Sequence, residues 1–511
     1  MDTVSNIKPT AVSSVWFGLT AGENTRRFLI AAFLVGVAVT LAHRPWRQIE
    51  IGDEAIWDYV AQSIVRGQVP YRDVVEIKTP GSAYLSALAM AIARPFGFRD
   101  VLAVRVLYFL MVGLISAISF ALADIYFRNR VAALIAFLIP LSSWHFPEWM
   151  AAGTEPKLPM TLFGLLSLLL LARNKPFWAG LCSMLSFLCW QPGLLFTGTL
   201  VLVSSNYLTT WRDLRAVKVM LGALVPLTIL VLYFAWVGAF GDLWQWTIAY
   251  NYGVYAPQTT RGLSDALAHL WRVSLRVFKL EIIFVFIGVI GMAMFAIESV
   301  RARIGRTERF ASRDFRTALL IPPLVYLAFC LVNFQSGPDL IPLFPFIGLF
   351  AGFGLVKLGE SRLGREFLKP LPSLALIVIF VLVLFRAVIY KLESGMTLQD
   401  QDKEFAEVSK FLGPGDSIYV HGTTEILVLL NRPNLNPYIF FDRGKDEWLS
   451  KRKPGGFQSV IEEMESRAPK IVALSRVGKV AHRNELEQWV IQHYDRLDLH
   501  NYRDIYIRKG S

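Results

Sequence analysis

Asp53 and Glu54 stand side by side just after the first apolar run, and Glu155 sits in Gly153-Thr154-Glu155-Pro156 at the start of a later one. A carboxylate at a membrane boundary is costly to desolvate, which makes each a functional candidate. An ionised carboxylate can take the proton of an attacking hydroxyl. Plainer readings stand beside this one. Asp53 precedes an amphipathic helix and suits an N-cap. Glu155 precedes a proline at a helix start, where a negative charge suits the helix dipole. Lys78, in Glu76-Ile77-Lys78-Thr79-Pro80-Gly81, is either a cation snorkelling to the headgroups or a point charge for a phosphate. Arg272 and Arg276 share a helix face at i, i+4 spacing and could meet an anionic headgroup, and Arg261 lies in the same segment. These arginines follow Trp244, Trp246, Tyr250, Tyr252 and Tyr255, which suit an interface belt better than a sugar platform. The outward carboxylates form no metal-ligand cluster, so metal-independent chemistry is expected, and no cofactor.

The elements that must position these groups are mostly apolar. The chain has 511 residues, 54% hydrophobic and only 18% charged, against roughly 25% charged in soluble domains. Long apolar runs fill residues 28 to about 390, and the remainder reads as soluble protein. A net charge of +12 could suggest nucleic acid. The basic residues, however, sit in short clusters between apolar runs, the pattern that orients a membrane protein, so no nucleic-acid partner is expected. Cys182, Cys189 and Cys330 all lie within apolar runs and read as buried small hydrophobes, without disulfide or metal spacing. No cleavable signal is evident, and the first run reads as an anchor.

The 20-residue criterion predicts about eleven spans. They fall at 28–43, 103–126, 131–147, 156–172, 177–190, 194–210, 217–237, 281–299, 317–334, 339–356 and 371–389. Gln191-Pro192-Gly193 splits what would otherwise be one overlong helix. The clusters Arg26/Arg27, Arg128/Arg130, Arg173/Lys175 and Arg212/Arg215/Lys218 all fall on one side. So do Arg301–Arg316 and Lys357–Lys369. That side is cytoplasmic by the positive-inside rule. The N-terminus is then inside, and residues 44–102, 238–280 and the tail face outward. Asp53–Gly67 has helical apolar spacing, and Pro80–Phe96 suits an interfacial helix. The tail alternates helix (403–412, 457–467, 485–494) with strand (417–420, 470–474, 504–507), which predicts a small α/β layer. The expected fold is therefore mainly α: a polytopic membrane domain over 1–390 with outer-face interfacial helices, and a soluble, extracytoplasmic α/β domain over 391–511. The tail carries neither a phosphate loop nor a nucleophile elbow, and suits a support or acceptor-docking role.

Asp53-Glu54, Gly67-Gln68-Val69-Pro70-Tyr71-Arg72-Asp73, Lys78-Thr79-Pro80-Gly81 and Tyr84-Leu85 together resemble the first outer loop of GT-C glycosyltransferases. The likeness is to the bacterial branch with protein O-mannosyltransferases and lipid A aminoarabinose transferases. Thr154-Glu155-Pro156, Trp190-Gln191-Pro192-Gly193 and Asp339-Leu340-Ile341-Pro342 continue the likeness across residues 25–390. The resemblance implies an inverting hexosyl or pentosyl transfer from a polyprenyl-phosphate sugar, at the outer face of the cytoplasmic membrane. The acceptor would be an envelope lipid, polysaccharide or protein. It implies that Asp53 acts as base or acceptor-orienting group with Glu54 as its neighbour, and that Glu155 is the second acid. It further implies that Lys78 holds the donor phosphate, with Arg261, Arg272 and Arg276 matched by region only. Two departures from the family pattern stand out. The second acid is Glu rather than Asp, and Ser336-Gly337-Pro338-Asp339 replaces a basic or His-Tyr pair. The rival readings are a lipid or glycan flippase and a noncatalytic envelope-assembly protein. No internal repeat supports a transporter with inverted halves.

Overall fold

Apolar runs inside a membrane must satisfy their backbone hydrogen bonds within the segment, so they become helices. In the computed structural model, which describes residues 23–205, 214–304, 316–361, 369–389, 395–475 and 480–510, helices dominate. They run α1 (Glu23–Ala42), α2 (Gly52–Val65), α3 (Gly81–Ala93), α4 (Asp100–Phe127), α5 (Arg130–Ser142), α6 (His145–Ala152), α7 (Lys157–Ala172), α8 (Pro176–Cys189), α9 (Leu194–Ser205) and α10 (Arg215–Trp236). A short α11 (Phe240–Trp244) leads into a π-helical stretch, Gln245–Tyr255, then α12 (Ala256–Thr259) and α13 (Leu263–Phe278). After these come α14 (Ile282–Ile304), α15 (Arg316–Val332), α16 (Phe344–Glu360) and α17 (Leu371–Ile389).

A helix lies at each of the eleven expected span positions. Among the described residues, six helical stretches are long and apolar enough to cross a membrane, with a seventh if α5 and α6, bent by 65°, count as one span. α7, α8 and α15 are shorter apolar helices. The chain is a multi-pass membrane protein. Gln191–Gly193 forms the expected break, as a single 3₁₀ turn between α8 and α9. Small residues bring helices close, as in other membrane bundles. A Cβ added at Gly291 of α14 would sit 1.9 Å from the Phe350 carbonyl of α16. Arg212, Arg306, Arg309, Arg313, Arg362 and Arg365, used above for orientation, lie outside the described residues, as does the expected boundary at 390/391.

The tail is α18 (Leu398–Ser409), β1 (Ile418–His421), α19 (Glu425–Leu430), α20 (Lys445–Ser450), α21 (Gln458–Arg467), β2 (Ile471–Leu474), α22 (Arg483–His493), β3 (Tyr494–Arg496) and β4 (Ile505–Arg508). The sheet order is β1-β2-β4-β3, with β1 parallel to β2 and the other pairs antiparallel. α18 starts before the expected residue 403 because Thr397 and Asp400 form a capping box there. β3, α19 and α20 are too short for periodicity to reveal.

The tail packs on the outward segments. One apolar core joins Ile56, Trp57, Tyr59 and Val60 of α2 to Leu398, Phe405, Ile418, Val420 and Ile426. A second joins Val69, Tyr71 and Ile77 to Trp246 and Tyr250 of the π-helical stretch, and to Tyr419, Phe441 and Trp448. Tyr250 donates to the Arg443 carbonyl at 2.7 Å, and Asn251 to the Ile77 carbonyl at 2.7 Å. Of the aromatics expected in a belt, Trp244 and Tyr252 are exposed, whereas Trp246 and Tyr250 are core.

Candidate active site

The first turn of α2 presents Asp53 and Glu54. Its N-cap position is Ile51, and no side chain caps the helix. Asp53 is therefore not the cap that its position before an amphipathic helix suggested. Its charge still lies at the positive end of the helix dipole.

Buried polar groups fix this turn against the strand of chain carrying Glu155. Arg105 of α4 is fully buried and donates to the carbonyls of Pro45, Gln48, Ile49 and Ala152, and to Glu50 Oε2 at 2.9 Å. One guanidinium thus holds both the approach to Asp53 and the approach to Glu155. Thr154 donates to Asp58 of α2 and lies 3.0 Å from Ser86 of α3. Gly153 has φ 149, a conformation that disfavours other residues. A Cβ there would come 3.5 Å from Glu54 Cβ. The two acids first read in separate segments are therefore neighbours. Enclosure by protein, and then the charge of Glu155, push the Glu54 carboxyl up to about 8. Glu54 is accordingly mostly protonated at pH 7.

Glu155 is buried and accepts from Lys157 Nζ at 2.9 Å, and Lys157 also lies 3.6 Å from Asp339. Asp339 in turn accepts from the backbone N–H of Gln335 at 2.7 Å. Lys157 Nζ stands 5.0 Å from the Trp190 ring centroid and 5.9 Å from that of Trp57. Lys78 Nζ lies 3.7 Å over Trp57. That contact is close enough for a cation–π attraction. Burial, then repulsion from Lys157, holds Lys78 below the ordinary lysine range, while Asp53, Glu155 and Glu76 oppose this.

Asp53, Trp57, Glu76 and Lys78 line one cavity of about 90 Å³. Tyr255 and Gln335 close one side of it, and Gly422, Phe440, Asp442, Arg443 and Lys445 of the tail close another. Arg443 also borders a wider outer cleft of about 430 Å³ with Gln258, Asp446 and Glu447. A carboxylate and an ammonium facing one enclosed space can take up a proton and balance an anion in the same event. Among the described residues no group of three His, Cys, Asp or Glu side chains could hold a metal ion.

The three arginines lie elsewhere. Arg261 is exposed and donates to the Phe334 carbonyl. Arg272 and Arg276 are exposed on α13, beside a stripe of exposed Leu263, Leu267, Trp271 and Leu275. An exposed apolar stripe flanked by basic residues is the pattern of a helix suited to a membrane surface. Sequence reading missed Lys157, Trp57, Asp442, Arg443 and Lys445. Lys157 had a signal, since it directly follows Glu155-Pro156 at a span start. The tail residues had none.

Comparison of the sequence with protein-family models finds no match, nor does comparison with curated proteins. Solved structures do match. ArnT from Cupriavidus metallidurans bound to undecaprenyl phosphate aligns with TM-score 0.61 at 14% identity, covering 96% of this chain and 99% of that one. Its apo state aligns with TM-score 0.60 at 14% identity, covering 94% and 97%. The Archaeoglobus fulgidus oligosaccharyltransferase in its apo form aligns with TM-score 0.51 at 13% identity, covering 90% and 70%. Over nearly its whole length, tail included, the chain shares its fold with these ArnT and oligosaccharyltransferase structures.

Proposed function

We propose that this protein is a membrane glycosyltransferase. It moves a sugar from a polyprenyl-phosphate donor to an envelope acceptor at the outer face of the cytoplasmic membrane. The observation that carries the reading is the meeting of Asp53 and Lys78 in one cavity, in a chain whose fold is that of ArnT bound to undecaprenyl phosphate. The basic connections favour a cytoplasmic N-terminus and an outward tail. Residues 391–511 then form an outer domain roofing the site, with 1–390 as the membrane domain.

In this mechanism the acceptor hydroxyl attacks the anomeric carbon and its proton passes to Asp53. The bond from the anomeric carbon to the phosphate oxygen breaks, and the electron pair leaves on the polyprenyl phosphate. Lys78 balances the charge gathering there. Attack opposite the leaving group inverts the anomeric centre. Asp53 lines the cavity, and Glu54, pushed up to about 8, is mostly protonated at pH 7, which together favour Asp53 as the base. Glu155, tied to Lys157 and through it to Asp339, orients groups rather than taking the proton. Arg272 and Arg276 serve the lipid surface instead of the leaving phosphate.

The test is incubation of purified protein with labelled polyprenyl-phosphate sugars and an envelope lipid extract. Label appearing on an acceptor supports the reading. Movement of label across vesicles without transfer would make the protein a flippase, and neither outcome would make it an assembly protein.

A further inference from the structure

Three polar atoms on the cavity wall are left without hydrogen-bond partners among the described residues. Lys445 is 1% exposed, and its Nζ, 2.9 Å over the Phe440 ring, has no hydrogen-bond partner. Glu76 Oε1 accepts from the backbone N–H groups of Ile77 and Lys78 at 2.8 and 3.1 Å, while its buried Oε2 has no partner. Asp442 Oδ1 is likewise buried and unsatisfied. Burying such groups unpaired is costly, and native proteins rarely leave several together without a ligand to meet them. All three line the same cavity as Asp53 and Lys78.

Their chemistry restricts the ligand. Two acceptors and one ammonium donor complement a ring of hydroxyls, since each hydroxyl both donates and accepts. Tyr255 lines the same space and offers an aromatic surface to the C–H side of a sugar ring, while Phe440 and Trp57 carry Lys445 and Lys78 over their rings at 2.9 and 3.7 Å. A second anion fits poorly, because Asp442, Glu76 and Asp53 are the carboxylates whose charges act on Lys445. An added positive charge gains little either, because Lys78, Arg443 and Lys445 balance Asp53, Glu76 and Asp442 around the same cavity. We propose that Glu76, Asp442 and Lys445 form the subsite for the transferred sugar, and that this sugar is neutral and polyhydroxylated. One of the three residues comes from the first outer loop and two come from the tail, so the tail takes part in choosing the donor. Burial draws Lys445 down to about 8, which leaves it mainly charged at pH 7 and able to donate. The inference rests on the glycosyltransferase reading above.

The experiment uses the full-length protein and two readouts. One is transfer from a panel of polyprenyl-phosphate monosaccharides: neutral hexoses and pentoses, an amino sugar and a uronic acid. The other is binding of undecaprenyl phosphate without sugar. Wild type is expected to use a neutral sugar. Lys445→Met and Asp442→Asn should lower kcat/KM for that donor by about tenfold to a hundredfold, the usual scale for losing a hydrogen bond to a charged group. Both should bind the sugar-free lipid within about twofold of wild type, whereas Lys78→Ala should not. Thermal melting shows whether each variant is folded, and Asp442→Asn, which keeps its size, stands in if Lys445→Met is not. Wild-type transfer that is unchanged in folded variants overturns the subsite alone. So does equal loss of bare-lipid binding, or preference for the amino or acidic donor. No wild-type transfer from any donor, with bare lipid still bound, overturns the glycosyltransferase reading itself.

Discussion

Asp53→Asn separates a chemical role from a structural one. The substitution preserves volume and removes only the basic carboxylate. Its structural cost is bounded by where the residue sits. The cap of α2 is Ile51, and no side-chain cap bond is lost. What remains is one charge at a helix N-terminus, worth about 0.3–1 kcal/mol. The chemical cost is far larger, since a positioned general base is typically worth about 10²–10⁴ in rate, or roughly 3–5 kcal/mol. Glu54 substitutes poorly, because Asp53 lines the cavity while the Glu54 carboxyl, pushed up to about 8, is mostly protonated at neutral pH. The expected variant melts within a few degrees of wild type, binds polyprenyl phosphate normally and transfers sugar at least about 10²-fold more slowly. Single-turnover transfer of a labelled donor at pH 7, with a melt in the same detergent, reads all three quantities. A folded Asp53→Asn enzyme with near-normal single-turnover rate would remove Asp53 from the chemistry and return the search to Glu155.

Lys78→Ala should weaken polyprenyl-phosphate binding by a few kcal/mol while Lys78→Arg retains part of it, measured by lipid titration; equal affinities would leave Lys78 as packing on Trp57. Arg105→Met should strand the buried Glu50 carboxyl and four backbone carbonyls, costing about 3–5 kcal/mol; an unchanged melting temperature would contradict the clamp. Glu54 keeps its proton in the folded state up to about 8 but loses it near 4.5 when unfolded, so the unfolded chain binds fewer protons between those values and stability falls as pH rises across them. Glu54→Gln should flatten that decline in melts from pH 5 to 9. A reporter fused after Gly395 should lie outside the cytoplasm and one between α14 and α15 inside; both on one side would break the proposed orientation.

Apolar runs are local information, and they were sufficient for the helices. Lipid offers the backbone no partner, so each long run has one outcome, and even the break at Gln191-Pro192-Gly193 was readable. The α/β alternation of the tail was readable for the same reason, except where β3, α19 and α20 are too short to carry a period. Asp53 and Lys78 could be named because they occur close together in one outer loop. Their meeting with the tail could not. Lys445, Asp442 and Arg443 sit in a stretch without motif or periodicity, and they reach the cavity only because α2, the π-helical stretch and the tail bury shared apolar faces. The pairing of Lys157 with Asp339 likewise depends on two distant spans ending at the same depth. The placement of Arg272 and Arg276 on the outside of α13 was set by its apolar stripe, which i, i+4 spacing alone did not orient. The sequence by itself determined which segments become helices and which acids and cations are available. Only tertiary packing decided which of them share one desolvated space, because that depends on apolar contacts between segments far apart in the chain.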